Sequence, residues 1–110
     1  MSREPLGNFE LMVLLALLRV GEDAYGVRIA EAIEDATKRE VMLASVYAAL
    51  ERLQTKGFVS SQLGEPTAER GGRAKKYFHI TSQGLRQVRE TKAVLVRLWR
   101  EVPELSGGGA

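Results

Sequence analysis

The segment SVYAALERLQTKG, residues 45–57, decides the fold because it predicts a helix with one apolar face and a defined end. Its apolar residues follow the i, i+3, i+4, i+7 spacing of a single helix face: Val46, Ala49, Leu50 and Leu53. Gly57 stands where a left-handed C-terminal cap belongs. The polar and small residues predicted to turn outward are Ser45, Tyr47, Ala48, Arg52 and Lys56. The segment therefore predicts an amphipathic third helix that begins near Ser45.

Two helices are predicted before this segment. Asn8 can cap the first, whose central run Leu11–Leu18 is apolar on every side and predicts a helix buried all round. Gly21 is expected to end it. Asp23 can cap the second helix, which has one apolar stripe and one charged stripe and so predicts a surface helix.

Short strands are predicted around the third helix. The apolar run Val41–Leu43 could pair as a small strand before it. After it, Phe58–Leu63 and Ala74–Ile80 are predicted to form a hairpin. The connection Gly64–Arg73 is rich in glycine, proline and charge and is longer than a tight turn requires, which favours a mobile, projecting wing.

The last predicted helix runs from a cap at Thr81 to about Val102, before Pro103. One stripe has the 3, 4, 3, 4, 3 spacing of a coiled-coil seam: Leu85, Val88, Lys92, Leu95, Trp99 and Val102. A polar residue such as Lys92 can fix the register of a dimer. The stripe could instead pack on the first helix of the same chain, but about six turns exceed what so small a domain covers. We therefore expect a homodimer.

Composition limits the class of protein. The chain has 110 residues, of which 45% are hydrophobic and 27% charged, and this predicts a small globular domain that a partner subunit would stabilise. With no cysteine and one histidine, His79, no set of metal ligands is expected. Neither a catalytic group of nucleophile and base nor a cofactor motif is present. The longest apolar run is too short for a bilayer, so we expect a cytoplasmic protein with no membrane partner.

The order of elements predicts a winged helix-turn-helix, mainly α with a small β-hairpin, followed by a C-terminal dimerisation helix. The expected divisions are a DNA-binding domain over residues 1–80, the dimerisation helix over 81–103 and a disordered tail over 104–110. The net charge of +2 is too small to indicate nucleic-acid binding by itself, so the prediction depends on where the charges lie. Four cations lie at the wing: Arg70, Arg73, Lys75 and Lys76.

DNA contacts are predicted at two places. On the third helix, free N–H groups and the hydroxyls of Ser45 and Tyr47 suit phosphates, and Ala48 permits close approach. Arg52 could reach a base edge or a phosphate, or could be only a solubilising charge. At the wing, Arg73 and Lys75, with Arg70 and Lys76, could contact the backbone or a narrow minor groove. The alternative is a solvated hairpin whose cations discourage aggregation.

Several motifs follow one another in a distinctive order: Phe9-Glu10-Leu11, Ala24-Tyr25-Gly26-Val27, the segment 45–53, Gly57-Phe58-Val59, Gly71-Gly72-Arg73 and Ile80-Thr81-Ser82-Gln83-Gly84. Together they resemble the PadR family of winged-helix regulators. The resemblance implies a homodimeric repressor of the short subgroup without an added effector domain, released in many relatives by a small effector. Leu43-Ala44 stands where the family often has Pro-Gly before the recognition helix.

We therefore expect a sequence-specific DNA-binding dimer, with recognition helices in successive major grooves of a pseudo-palindromic operator. A small hydrophobic or aromatic effector is a possible partner at the dimer interface, where Trp99 is either a stacking surface or an interface anchor. The rival hypothesis is a winged-helix adaptor whose last helix docks on another polypeptide. An adaptor would bind DNA weakly and without regard to sequence.

Overall fold

The computed structural model describes residues 6–65 and 75–105. Within these ranges the chain forms four α-helices, one 3₁₀ turn and two antiparallel strands. In chain order these are α1 (Asn8–Val20), the 3₁₀ turn (Gly21–Asp23), α2 (Gly26–Thr37), α3 (Leu43–Thr55), β1 (Val59–Leu63), β2 (Lys76–Ile80) and α4 (Ser82–Arg100). The order confirms the predicted fold of a mainly helical chain with a small hairpin. Most of the predicted wing and of the predicted tail lies outside the described residues.

The core lies between α1, α2, α3 and the hairpin, and α1 contacts α2, α3 and β2. Its buried apolar residues are Val13, Leu14, Ala16, Leu17, Ala24, Ile29, Ala30, Ile33, Val46, Ala49, Leu50, Leu53, Val59, Phe78 and Val88. The prediction that α1 is buried on every side is wrong, because Leu15 and Leu18 are exposed. The elements that pack on this helix cover only part of its circumference.

Helices α1 and α2 begin at caps other than those predicted. Asn8 is the first residue of α1, and Gly7 is the cap, whose N–H donates to Glu10 Oε1 at 3.1 Å. Asp23 belongs to the 3₁₀ turn, and α2 starts three residues later, after Tyr25. The reason lies in the hairpin: Phe78 N–H donates to Ala24 O at 2.8 Å and keeps this segment extended.

No strand forms at Val41–Leu43, contrary to prediction. The N–H of Val41 donates to a carboxylate oxygen of Glu34 at 2.8 Å, so a side chain on α2 takes the place of a strand partner. Leu43 is already the first residue of α3. Because Leu43 and Ala44 are good helix formers, the helix extends two residues upstream of Ser45.

The end of α3 sets the start of the hairpin. Gly57 has φ +84°, and its N–H donates to Gln54 O at 3.0 Å while Phe58 N–H donates to Leu53 O at 2.9 Å. These two bonds form a Schellman motif, which requires the left-handed conformation that glycine adopts without strain. The following strands pair antiparallel, with Val59 opposite Ile80 and Leu63 opposite Lys76. The predicted C-terminal cap is confirmed.

Thr81 joins the hairpin to α4, as predicted for the cap. Its Oγ1 accepts from Gly84 N–H at 3.0 Å and donates to Gly57 O at 2.7 Å, while its N–H donates to Phe58 O at 2.9 Å. One residue therefore holds the start of α4 against the end of α3. The helix ends at Arg100, two residues before the predicted end, in a turn where Val102 N–H donates to Trp99 O.

Candidate nucleic-acid interface

The outward face of α3 is the polar surface that the sequence predicted. The predicted outward residues are all exposed: Ser45, Tyr47, Ala48, Arg52 and Lys56. The opposite face is completely buried, since Val46, Ala49, Leu50 and Leu53 have no accessible surface. The core therefore fixes which side of α3 can meet another molecule.

The earlier start of α3 changes which backbone groups are free. Ser45 N–H donates to Met42 O at 2.9 Å and Val46 N–H donates to the same oxygen at 3.2 Å. The N–H groups at the start of this helix that have no backbone acceptor in the described residues are those of Leu43 and Ala44. These two residues lie upstream of Ser45, where the helix was expected to begin, and Ser45 itself is exposed.

Tyr47 is held in place by α2 and β2 although 39% of it is exposed. Its ring lies so close to Gly26, the first residue of α2, that a Cβ at Gly26 would overlap it. On the other side, the ring centroid is 6.4 Å from that of Phe78. Only glycine can stand at this contact without displacing the ring. The arrangement presents the hydroxyl end of Tyr47 beside the start of α2.

Arg52 and Lys56 meet a single buried carboxylate that the sequence analysis did not single out. Glu10 on α1 lies 3.2 Å from Arg52 Nε through its Oε2, and 3.1 Å from Lys56 Nζ through its Oε1. The Gly7 N–H is its third donor. Burial opposes ionisation of Glu10, but the hydrogen bonds from Gly7, Lys56 and Arg52 outweigh it and lower the pKa of this carboxyl. The position of Glu10 near the start of a mostly apolar helix was the feature of the sequence that could have indicated this buried ion-pair site.

At the loop end of the hairpin, where Lys76 pairs with Leu63, the two described wing cations lie over aromatic rings. Lys75 Nζ is 4.4 Å from the centroid of Tyr25, and Lys76 Nζ is 5.8 Å from that of Phe78. Tyr25 in turn meets Tyr77 edge to face, with ring centroids 5.7 Å apart. The rings hold both ammonium groups at the hairpin surface. The other two predicted wing contacts, Arg70 and Arg73, lie outside the described residues.

The predicted seam of α4 divides into two parts. Val88 belongs to the chain's own core and Leu85 is half-buried, so the first turns of α4 pack on the same chain. Beyond them, Lys92 and Leu95 are exposed and 59% of Trp99 is accessible. Val102, at the end of the seam, is half-buried. The apolar surface left uncovered is therefore the C-terminal half of α4.

A recess of about 390 Å³ lies between α1 and α2. Its mostly apolar lining is formed by Met12, Leu15, Ala16, Arg19, Ala32, Ile33, Ala36 and Thr37. The recess leaves one side of Leu15 open and so accounts for its exposure. This recess and the end of α4 are two of the uncovered apolar surfaces in the described part of the chain, where Met42 and Leu63 are also exposed.

Other kinds of site are missing from residues 6–65 and 75–105. These ranges contain no group of three or more His, Asp or Glu side chains placed to bind a metal ion. None of their helices is long and apolar enough to cross a membrane.

Comparison with known proteins identifies the family. The family model described as "Transcriptional regulator PadR-like family" matches residues 14–90. A PadR-like transcriptional regulator from Bacillus cereus is 26% identical, with a TM-score of 0.71 over 91% of this chain and 92% of that one. A PadR family regulator from Eggerthella lenta is also 26% identical, with a TM-score of 0.69 over 88% of this chain and 82% of that one.

A third structure, a transcriptional regulator from Clostridium thermocellum, is 25% identical with a TM-score of 0.67, over 84% of this chain and 86% of that one. No match was found among curated proteins. The family match covers most of the core helices, the outward face of α3 and the first half of α4. The chain belongs to the PadR-like family of transcriptional regulators, and it is therefore a regulator and not an enzyme.

Proposed function

We propose that the chain is a sequence-specific repressor that binds a pseudo-palindromic operator as a homodimer in the cytoplasm. The observation that carries the proposal is the outward face of α3, held rigidly by a fully buried opposite face next to a hairpin with two aromatic-supported cations. A rigid polar helix beside a cationic hairpin is the arrangement that places a recognition helix in the major groove.

The DNA contacts that we propose divide into two classes. Tyr47 and Ser45, with the N–H groups at the start of α3, suit phosphates, whereas Ala48 lets the helix approach and Arg52 can reach a base edge. The hairpin would contact the flanking backbone through Lys75 and Lys76, together with Arg70 and Arg73. Phosphate contacts set the register of the protein on the duplex, and the α3 contacts supply sequence discrimination.

The homodimer is supported by the uncovered apolar surface of α4. In its second half, Leu95, Leu98 and Trp99 are each 47% to 60% accessible. Small monomeric proteins rarely expose so continuous an apolar surface, and a second copy of the same helix offers a matching one. In the proposed dimer the interface uses Leu85, Lys92, Leu95, Trp99 and Val102, while Val88 supports it from the chain's own core.

Release from the operator by a small hydrophobic or aromatic effector forms part of the proposal. Its place would be between the two α4 helices, where Trp99 offers a flat ring for stacking. Quenching of Trp99 fluorescence by an added compound, with weaker DNA binding at the same concentrations, would identify such an effector. Compounds that quench Trp99 without changing DNA affinity would contradict the regulatory role.

Salt-dependent DNA binding tests the proposal. Fluorescence anisotropy should show tighter binding to a duplex from the gene's own upstream region than to a scrambled duplex. Changing Lys75 and Lys76 to Ala should reduce the steepness of the log-affinity against log-salt plot by about 0.9 for each phosphate that the variant no longer neutralises. The matched control changes Arg97 and Arg100 to Ala, which removes equal charge from α4 and should leave the slope almost unchanged.

The same titration separates the two candidate classes. Equal affinity for native and scrambled duplexes would contradict a sequence-specific regulator and favour the adaptor that docks α4 on another polypeptide. An unchanged slope in the Lys75 and Lys76 variant would remove the hairpin from the DNA-binding mechanism. A palindromic protected region, with half-sites about one helical turn apart, would support the dimer.

A further inference from the structure

Glu10 is the one buried charged residue in residues 6–65 and 75–105. Only 7% of its side chain is accessible, and it reaches from α1 to two cations at the C-terminal end of the recognition helix. A carboxylate withdrawn from water is stable in the charged form only when donors surround it. Glu10 has three such donors: the Gly7 N–H, Arg52 Nε and Lys56 Nζ.

These two partners are the whole positive charge of the recognition helix and its C-terminal cap. Between Leu43 and Lys56 the sequence contains no other lysine or arginine, and its single acid is Glu51. Because both cations share one carboxylate, this segment carries no cation that is free of an ion pair. The attraction that non-specific DNA exerts on a cationic helix is therefore reduced at this surface.

The bond to Arg52 also sets the direction of its guanidinium group. Arg52 Nε–H donates a hydrogen bond to Glu10 Oε2, and the two terminal nitrogens take no part in this bond. Since 54% of the Arg52 side chain is accessible, its terminal nitrogens are able to donate outward. A guanidinium held at Nε loses less conformational freedom when its terminal nitrogens form directed hydrogen bonds. The Glu10 carboxylate at the same time offsets part of its positive charge.

We propose that Glu10 is a specificity-determining residue: it positions Arg52 for directed bonds to a base edge and withholds the charge of Arg52 and Lys56 from the phosphates of non-cognate DNA. It acts through Arg52 and Lys56 and does not itself contact DNA, so it is a positioning residue. The inference rests on the proposed binding of DNA by α3. Sequence-independent affinity comes almost wholly from phosphate contacts, so masking two cations improves discrimination by lowering the affinity for the wrong sequence.

The principal test compares Glu10→Gln with the wild type. Glutamine has nearly the same shape and can still accept the Gly7 N–H, but it carries no negative charge to offset the two cations. On a scrambled duplex we expect the log-log salt slope to steepen by about 0.9, because the variant loses the one negative charge that offsets the two cations. Affinity for that duplex should rise about tenfold at low salt, and the ratio of native to scrambled affinity should fall.

Glu51→Gln is the matched control, because it removes the same charge from an exposed acid of α3 that has no ion pair among the described residues. It should change the scrambled-duplex slope much less than Glu10→Gln. Equal effects of the two variants would mean that only net charge matters, and they would overturn the proposal. An unchanged slope and an unchanged ratio in Glu10→Gln would also overturn it.

Arg52→Gln provides a second test that leaves the buried carboxylate intact. Compared with the wild type, this variant should bind the native duplex more weakly and lower the slope on scrambled DNA by clearly less than about 0.9, since Glu10 already offsets part of the charge of Arg52. If Arg52→Gln lowers the scrambled-duplex slope by about 0.9, Arg52 is free to bind phosphates and the proposal fails. A wild-type protein without preference for the native duplex would instead contradict the proposed function itself.

Discussion

Helices α3 and α4 have the same kind of amphipathic pattern, but their apolar faces differ in how far they are buried. In α3 the apolar stripe has no accessible surface, because α1, α2 and β1 pack against it. In α4 the stripe is buried only at Val88, and eleven residues later 59% of Trp99 is accessible. Periodicity therefore indicates which face of a helix is apolar, but only the tertiary neighbours show what covers it.

The cations of the two helices also differ, in whether they form ion pairs. Both cations of α3 and its following turn are paired with Glu10. On α4 the cations have no ion pair within the described residues, and they are Arg86, Arg89, Lys92, Arg97 and Arg100. The helix proposed to bind DNA is thus the one with compensated charge. Local packing, more than net charge, decides how each helix can interact.

The largest expected effect is on the buried stripe of α3. Leu50→Ala should lower the free energy of unfolding by about 2–5 kcal/mol, since it leaves a cavity in a fully buried position. Urea unfolding followed by circular dichroism measures the decrease. The matched variant Leu98→Ala should leave the free energy of unfolding of the single chain nearly unchanged. It should alter only how the measured stability depends on protein concentration. Equal decreases in both variants would remove the contrast between the two helices.

Trp99→Ala should weaken the proposed dimer by about 2 kcal/mol, or roughly thirtyfold, because it removes the largest apolar side chain of the uncovered surface. Sedimentation equilibrium measures the dissociation constant. Arg97→Ala, on the charged face of the same helix, serves as the control and should have little effect. A dissociation constant that does not change in Trp99→Ala would show that the end of α4 is not the interface.

Gly26→Ala should reduce DNA affinity about tenfold, or about 1.4 kcal/mol, by displacing the Tyr47 ring from its place beside α2. The double variant with Tyr47→Ala isolates this route, since the cost of Gly26→Ala should largely disappear once the ring is absent. Thermal unfolding of each variant confirms that the fold is intact. A cost that persists without the ring would place the effect in α2 itself.

The smallest expected effect is on pH dependence. Because the pKa of Glu10 is lowered in the folded chain, its contribution to stability is fully present above its ordinary value of 4.5 and is lost as the pH falls through the lowered value. The stability advantage of the wild type over Glu10→Gln should therefore shrink as solutions are acidified below pH 4.5. Unfolding by urea at a series of pH values measures it.

Glu51→Gln again provides the control for the pH series, because no ion pair holds Glu51 among the described residues. Its stability difference from the wild type should stay nearly flat with pH. An advantage of the wild type over Glu10→Gln that grows on acidification would reverse the sign and contradict the ion pairs seen at Glu10.

The sequence was sufficient for the four helices, for the two strands of the hairpin and for the outward residues of α3. Spacing alone identified the buried stripe of that helix, the cap at Thr81 and the left-handed Gly57. These features depend on residues within one or two helical turns of one another, which is the distance over which sequence patterns carry information. Family membership then confirmed the fold that those patterns predicted.

The features that sequence reasoning missed depend on contacts between distant segments. The start of α2 is set by a hydrogen bond from β2. The strand predicted at Val41 is absent because the N–H of Val41 donates to the Glu34 carboxylate. Glu10 meets Arg52 across 42 positions in the chain. Such contacts leave no local periodicity, so an acid beside an apolar run is their only trace in the sequence.

Thr81 has a consequence for how a dimer would space its target sites. Its hydroxyl is shared between Gly57, just after the recognition helix, and Gly84 in the first turn of α4, so the two helices cannot swing apart while both bonds persist. In the proposed dimer, any change in the crossing angle of the paired α4 helices would rotate the two α3 helices relative to each other. The number of base pairs between half-sites would then be set at this threonine, far from any base.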